Sequence, residues 1–174
     1  MSVFPYDWYG SGLLAHELRP DQKELPSRLI SVPKTQKGPR LICSEPTSHQ
    51  WMQQALADWL ETRIRYSPLA RSVDFHDQGR SRERAQSSSI DASLCTIDLS
   101  SASDRISTRL VEYCFQGSNL LDAMHACRTR FLTQDLTSNH PGKVVIRKFS
   151  TMGSALTFPI QSIVFLILSA WGVT

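Results

Sequence analysis

From Phe149 to Thr174 the chain carries no charged side chain, and within that stretch Ile163–Trp171 is almost wholly apolar. A segment of this kind folds only where other elements cover it. Each large apolar side chain left in water forfeits about 1.5–3 kcal/mol of burial. Pro159, Gln161 and Ser162 cut the clean run to about half of the roughly 20 residues that a membrane-spanning helix needs. The expected element is therefore a buried core helix, with no membrane span. The sequence ends just beyond this helix, where a chain end is ordinarily polar. The expectation is a truncated sequence that folds poorly in isolation.

The rest of the chain has to supply the cover. Its 174 residues are 41% hydrophobic and 20% charged, enough for a globular core. Leu13–Leu18 has a short helical pattern. Leu29–Val32 and Leu41–Cys43 are extended runs on either side of a basic loop. Residues 48–66 repeat Trp51, Met52, Ala55, Leu56, Trp59, Leu60 and Ile64 at helical spacing, which places Trp51 and Trp59 in the core. Residues 71–89 are polar and arginine-rich, leading into a helix around Ser81–Ser88. Leu94–Ile97 has the pattern of a short buried strand ending at Asp98. Helices are expected over Arg105–Phe115 and Leu120–Phe131, a turn at Asn139–Gly142 and a strand at Lys143–Phe149. The Ser/Gly loop Ser150–Ser154 then opens the final helix. The fold class is α+β.

Cys43, Cys95, Cys114 and Cys127 form no C-x-x-C pair and no zinc-type spacing with histidine. The first ten residues, MSVFPYDWYG, lack the basic start and apolar core of a secretory signal. Reduced cysteines in a cytosolic protein are expected. The net charge of +3 and pI near 8.8 permit a polyanionic partner without requiring one.

Three segments have the residue types for chemistry. In Cys95–Asp104 an apolar run delivers Asp98, and Asp104 follows six residues later. A carboxylate at a strand end suits a hard cation such as Mg²⁺; the alternative is that Ser103 or Asp104 caps the next helix. Lys34, Lys37 and Arg40 crowd one loop, which fits phosphate neutralisation or a solvated basic turn. Lys148–Phe158 places Ser150, Thr151 and Gly153 before a helix start, where a backbone can approach a ligand closely; an ordinary capped helix start is the alternative. Arg80, Arg82 and Arg84 suit RNA contact or a solvated helix face.

Order raises the signal. V-P-K-x-x-K-x-x-R-x-I-x-x-E-P, then T-I-D-L-S-S-A-S-D-R-I-S, then K-F-S-T-M-G-x-x-x-T-F resemble motifs F, A and B of the replicase catalytic subunit of single-stranded RNA bacteriophages, the leviviruses. The resemblance covers most of residues 30–170. It implies an RNA-directed RNA polymerase, shaped as a partial right hand with a fingers portion at 1–84 and part of the palm at 85–174. By the same resemblance Asp98 is a metal-binding aspartate of a two-metal Mg²⁺ site, and Asp104 helps read the ribose. Lys34, Lys37 and Arg40 surround the triphosphate, and Ser150, Thr151 and Gly153 support nucleotide and template. RNA template, nascent strand, nucleoside triphosphates and host translation factors are the implied partners, in the cytoplasm of a bacterial host.

Three departures qualify the resemblance. Ser154 stands where the family often has Asn, and Pro159 where an acidic residue is commoner. No G-D-D, the family's hairpin for its remaining metal carboxylates, occurs in the sequence. These residues alone are therefore expected not to polymerise nucleotides. The rival class is a non-catalytic RNA-binding piece.

Overall fold

A computed structural model describes residues 24–35, 38–77, 79–139 and 142–172. Lys37 and the Leu13–Leu18 pattern lie outside them. Two antiparallel strands, β1 (Ser27–Thr35) and β2 (Gly38–Ser44), form the basic hairpin. Helix α1 (Thr47–Arg65) follows, then a single 3-10 turn at Pro68–Arg71 and helix α2 (Gly79–Asp91). Three short helices come next: α3 (Ala102–Arg105), α4 (Thr108–Phe115) and α5 (Asn119–Cys127). Strands β3 (Phe131–Thr133) and β4 (Lys143–Val145) precede the long helix α6 (Thr157–Trp171). The four strands make one mixed sheet in the order β2-β1-β3-β4, with β1 and β3 parallel and the outer pairs antiparallel. The fold is α+β, as the pattern implies.

The core lies among the helices. Ala57, Leu60 and Ile64 of α1 meet Val111 of α4, Met124 and Cys127 of α5, and Ile160, Ile163 and Val164 of α6. The uncharged segment thus finds its cover over the first half of α6. Toward its end, Ile167, Leu168 and Trp171 stay exposed. The Trp171 ring lies nearly parallel to that of Tyr113, with centroids 6.4 Å apart. Pro159 sits in the first turn of α6, where its missing N–H removes no helical hydrogen bond.

Several expectations need correction. Trp51 and Trp59 are 77% and 47% exposed, not core. The buried stripe of α1 is instead His49, Gln53, Ala57, Leu60 and Ile64. Two of those are polar, so a purely apolar count selects the wrong face. Trp59 carries the Arg63 guanidinium 5.5 Å from its ring centre. Residues 94–98 are not a buried strand: Leu94 is 60% exposed and Ile97 78%. A strand needs a neighbour to complete its ladder, and among the described residues none pairs with this segment.

The expected helix Arg105–Phe115 breaks at Ile106 and restarts where the Ser107 hydroxyl accepts the Leu110 N–H. The expected helix Leu120–Phe131 ends at Cys127: Arg128 turns extended, and Arg128, Thr129 and Arg130 are buried outside the helix. The expected strand Lys143–Phe149 is regular only to Val145.

Candidate active site

The basic hairpin presents Lys34 on β1 and Arg40 on β2, both exposed, with Arg40 opposite Val32 across the ladder. Gly38 makes the turn back with φ +149°. Beyond Arg40, β2 runs inward and becomes buried at Cys43. There it meets the Ser150–Ser154 loop. The Cys43 N–H donates to the Met152 carbonyl at 2.6 Å. Gly153 has φ +146°, and a Cβ on it would lie 1.8 Å from the Cys43 carbonyl oxygen. Glycine is required there both for its backbone angle and for the closeness of β2.

Glu45 follows at the end of β2 and gathers three donors. Its carboxylate accepts from the Thr151 hydroxyl at 2.9 Å, from the Gln53 amide at 3.3 Å and from the Thr129 hydroxyl. The Thr129 proton is committed to Glu45, so its oxygen accepts from His49 Nδ1–H at 2.8 Å, which fixes the His49 tautomer. Burial holds the His49 imidazole below its usual pKa, partly offset by Glu45. Gln53 also donates to the Cys127 carbonyl at 2.9 Å.

The same logic orients the loop hydroxyls. Thr157 donates to the Thr151 carbonyl at 2.7 Å, so Ser150 donates to Thr157 Oγ1 at 2.9 Å. Ser150 keeps its lone pairs for accepting. Thr151 is 3% exposed, with its hydroxyl turned to Glu45 and its carbonyl also accepting from the Ser154 N–H at 3.2 Å. Ser154 accepts from the Leu156 N–H at 3.3 Å, a local cap on the approach to α6.

The segment before the loop is clamped by a buried guanidinium. Arg128 donates to the carbonyls of Phe149 at 2.6 Å, Ile146 at 2.9 Å and Lys148 at 2.9 Å, and to Thr108 Oγ1 at 2.9 Å. Burial pulls its pKa down to about 10, opposed by the carboxylates of Glu24, Glu112 and Glu45, so it remains charged near neutrality.

The two aspartates part company. Asp104 lies inside α3 and pairs with Lys148. It does not cap a helix: the capping hydroxyl of the next helix belongs to Ser107, and Ser101, in the left-handed region with φ 54°, precedes α3. A bridge between Ser107 and Lys148 and the Phe149 N–H to Ile106 carbonyl bond, 2.9 Å, join the two segments side by side. Asp98 lies on the exposed stretch between α2 and α3. Its oxygens have the hard-donor character that Mg²⁺ prefers. Among the described residues, however, no three His, Cys, Asp or Glu side chains converge. These residues do not build a metal site on their own.

Arg80, Arg82 and Arg84 are exposed on α2. Arg80 donates to the Ala70 carbonyl at 2.9 Å. Arg80 and Arg84 line a groove with Arg71 on one side and Phe158, Ser162 and Phe165 of α6 on the other, whereas Arg82 is not among its walls. All four cysteines are free, and no described helix is long and apolar enough to cross a membrane.

Glu45 is the residue that sequence reasoning passed over. It stands in the quoted E-P pair but received no role. The available signal was an acidic residue between a buried strand end and an amphipathic helix, a place where a carboxylate needs partners.

The class so defined is an α+β chain in which a basic β-hairpin, an aspartate-bearing segment and a Ser/Thr/Gly loop are hydrogen-bonded around one helical core. Residues 14–171 match the RNA replicase, beta-chain family, and the chain belongs to it. It is 38% identical over 141 residues to the RNA-directed RNA polymerase beta chain of Enterobacteria phage GA, covering 81% of this chain and 25% of that one. It is 34% identical over 138 residues to the corresponding chain of Escherichia phage MS2, covering 79% and 23%. With the RNA-directed RNA polymerase subunit beta of Escherichia virus Qbeta it shares 31% identity over 144 residues, covering 82% and 23%. The chain thus spans about a quarter of the length of these relatives.

Proposed function

We propose that this chain is the portion of an RNA-directed RNA polymerase that spans part of the fingers, 1–84, and part of the palm, 85–174, of a right-hand fold. The polymerase copies the genome of a positive-strand RNA phage in the cytoplasm of its bacterial host. The reaction is attack of an RNA 3′-hydroxyl on the α-phosphorus of a nucleoside triphosphate. A P–O bond forms, the bond to the β-phosphate breaks, and pyrophosphate and the hydroxyl proton leave. The observation that supports this most is the joining of three motifs far apart in sequence: the hairpin to the Ser/Gly loop through Cys43 and Glu45, and the aspartate segment to the residues leading into that loop through Asp104 and Lys148.

The roles in this proposal are those that the family resemblance implies. Lys34, Lys37 and Arg40 take the triphosphate, Asp104 reads the ribose, and Ser150, Thr151 and Gly153 support nucleotide and template. Arg80, Arg82 and Arg84, by charge and exposure, contact RNA. Asp98 contributes one oxygen ligand toward Mg²⁺, which neutralises phosphoryl charge in such enzymes; among the described residues no cluster of three ligating side chains completes the site. Host translation factors are partners of the whole enzyme in this proposal.

The test is RNA-templated incorporation by a full-length polymerase carrying this segment. Lys34→Ala and Arg40→Ala are each expected to raise KM for nucleotide while leaving thermal unfolding almost unchanged, since exposed charges add at most about 1 kcal/mol to stability. Wild-type nucleotide kinetics in both variants would reduce the hairpin to a surface turn.

A further inference from the structure

Resting on the polymerase function proposed above, we infer that Glu45 is a positioning residue for nucleotide incorporation, acting through Thr151 to hold the Ser150–Gly153 loop against the basic hairpin. Glu45 is half-buried at the exit of β2, one residue before Pro46 opens α1. Its two oxygens face different parts of the molecule. Oε1 accepts from Thr151 in the loop. Oε2 accepts from Thr129 and Gln53, which belong to the core scaffold. The carboxylate is therefore a link between a rigid frame and a segment that is otherwise irregular.

The link is directional. The loop's backbone contacts with β2 are the Cys43 N–H to Met152 carbonyl bond and the close seat of Gly153 on Cys43, and the Cys43 thiol also meets the Thr151 side chain. The backbone contacts fix how near the loop lies to the hairpin. They leave the turn of the Thr151 peptide to the bonds that Thr151 itself makes. The Thr151 side chain, anchored on Glu45 while its carbonyl is held by Thr157, sets that turn. With Thr151 so fixed, Ser150 and the Thr151 and Gly153 peptides keep one orientation relative to Lys34 and Arg40. A nucleotide spanning hairpin and loop would then meet preset partners rather than ordering them on binding, and small misplacements of such partners cost rate steeply.

Buried scaffold polar groups hold structures together without serving reactions, so the test has to separate the two roles. Thr129→Val removes a scaffold donor to Glu45 and leaves the Thr151 bond. Thr151→Val removes the loop donor with little change of shape. Single-nucleotide incorporation on an RNA primer–template, together with thermal unfolding, is measured for a full-length polymerase carrying this segment. The variants are Glu45→Ala, Glu45→Gln, Thr151→Val, Thr129→Val and the double variant Glu45→Ala/Thr151→Val.

Glu45→Ala and Thr151→Val are each expected to lower kcat/KM about tenfold, and the double variant no further than the worse single, because both cut one link. Glu45→Gln, which keeps an acceptor and the shape, recovers most of the rate. Thr129→Val lowers the unfolding midpoint and, with Gln53 still holding Glu45 Oε2, lowers kcat/KM by less than Thr151→Val. Losses that multiply in the double variant overturn the inference. So does a Glu45→Ala enzyme, or a Thr151→Val enzyme should Glu45→Ala not fold, that is less stable but kinetically normal. An inactive parent enzyme removes the polymerase function and this inference together. An active parent with unaffected variants removes this inference alone.

Discussion

Asp98→Asn, in a full-length polymerase carrying this segment, is expected to lower kcat for RNA-templated incorporation at least about a hundredfold, the scale of losing one major electrostatic stabiliser. The substitution keeps the size of the side chain and removes only its charge. Asp98 sits on an exposed stretch outside the hydrophobic core. Exposed substitutions of this kind usually change stability by less than about 0.5 kcal/mol. The expected signature is thus a large kinetic loss with an unmoved unfolding transition. Elongation at near wild-type rate by the Asn enzyme would remove Asp98 from any metal-binding role.

The largest expected effect on folding falls on Arg128. Arg128→Met fills similar space but withdraws the guanidinium from three carbonyls and the Thr108 hydroxyl. A buried acceptor left without a donor costs about 1–3 kcal/mol. Even with partial relaxation the sum is about 3–5 kcal/mol, a large share of the 5–15 kcal/mol that holds a typical domain together. The measurements are the thermal midpoint and protease cleavage near Phe149 and Ser150, which lose their clamp. An Arg128→Met chain with wild-type melting and resistance would show that the carbonyls find other donors.

The hairpin, α1, α2 and α6 were legible because their signals are local. Extended apolar runs flank the Lys/Arg turn, and the uncharged segment fixes the final helix. What failed depends on partners distant in sequence. Leu94–Ile97 has the composition of a buried strand but lacks a neighbour among the described residues. Arg128–Arg130 reads as the end of a helix because arginine favours helices. The carbonyls of Ile146, Lys148 and Phe149 with the Thr108 hydroxyl for Arg128, and Glu24 with the His125 carbonyl for Arg130, justify burying two guanidinium groups beyond the helix end. Trp51 and Trp59 mislead because the true buried face carries His49 and Gln53, whose partners Thr129 and Cys127 lie 80 and 74 positions further along the chain. The site motifs were visible as strings. The carboxylate that ties them together was visible only as one letter of one string.

The parallel pairing of β1 with β3 sets a schedule for the nascent chain. Ser27 bonds the Phe131 carbonyl, 104 positions later, so the sheet cannot close while β1 and β2 alone have left the ribosome. At about 5–20 residues per second, translation leaves the inner edge of β1 unpaired for roughly 5–20 s. An open strand edge is a template for pairing with another chain. Slow codons between α1 and β3 would lengthen that interval, and crowded polysomes would raise the chance that neighbouring copies join through β1. Synthesis rate thereby becomes a determinant of how much of this segment reaches its native sheet.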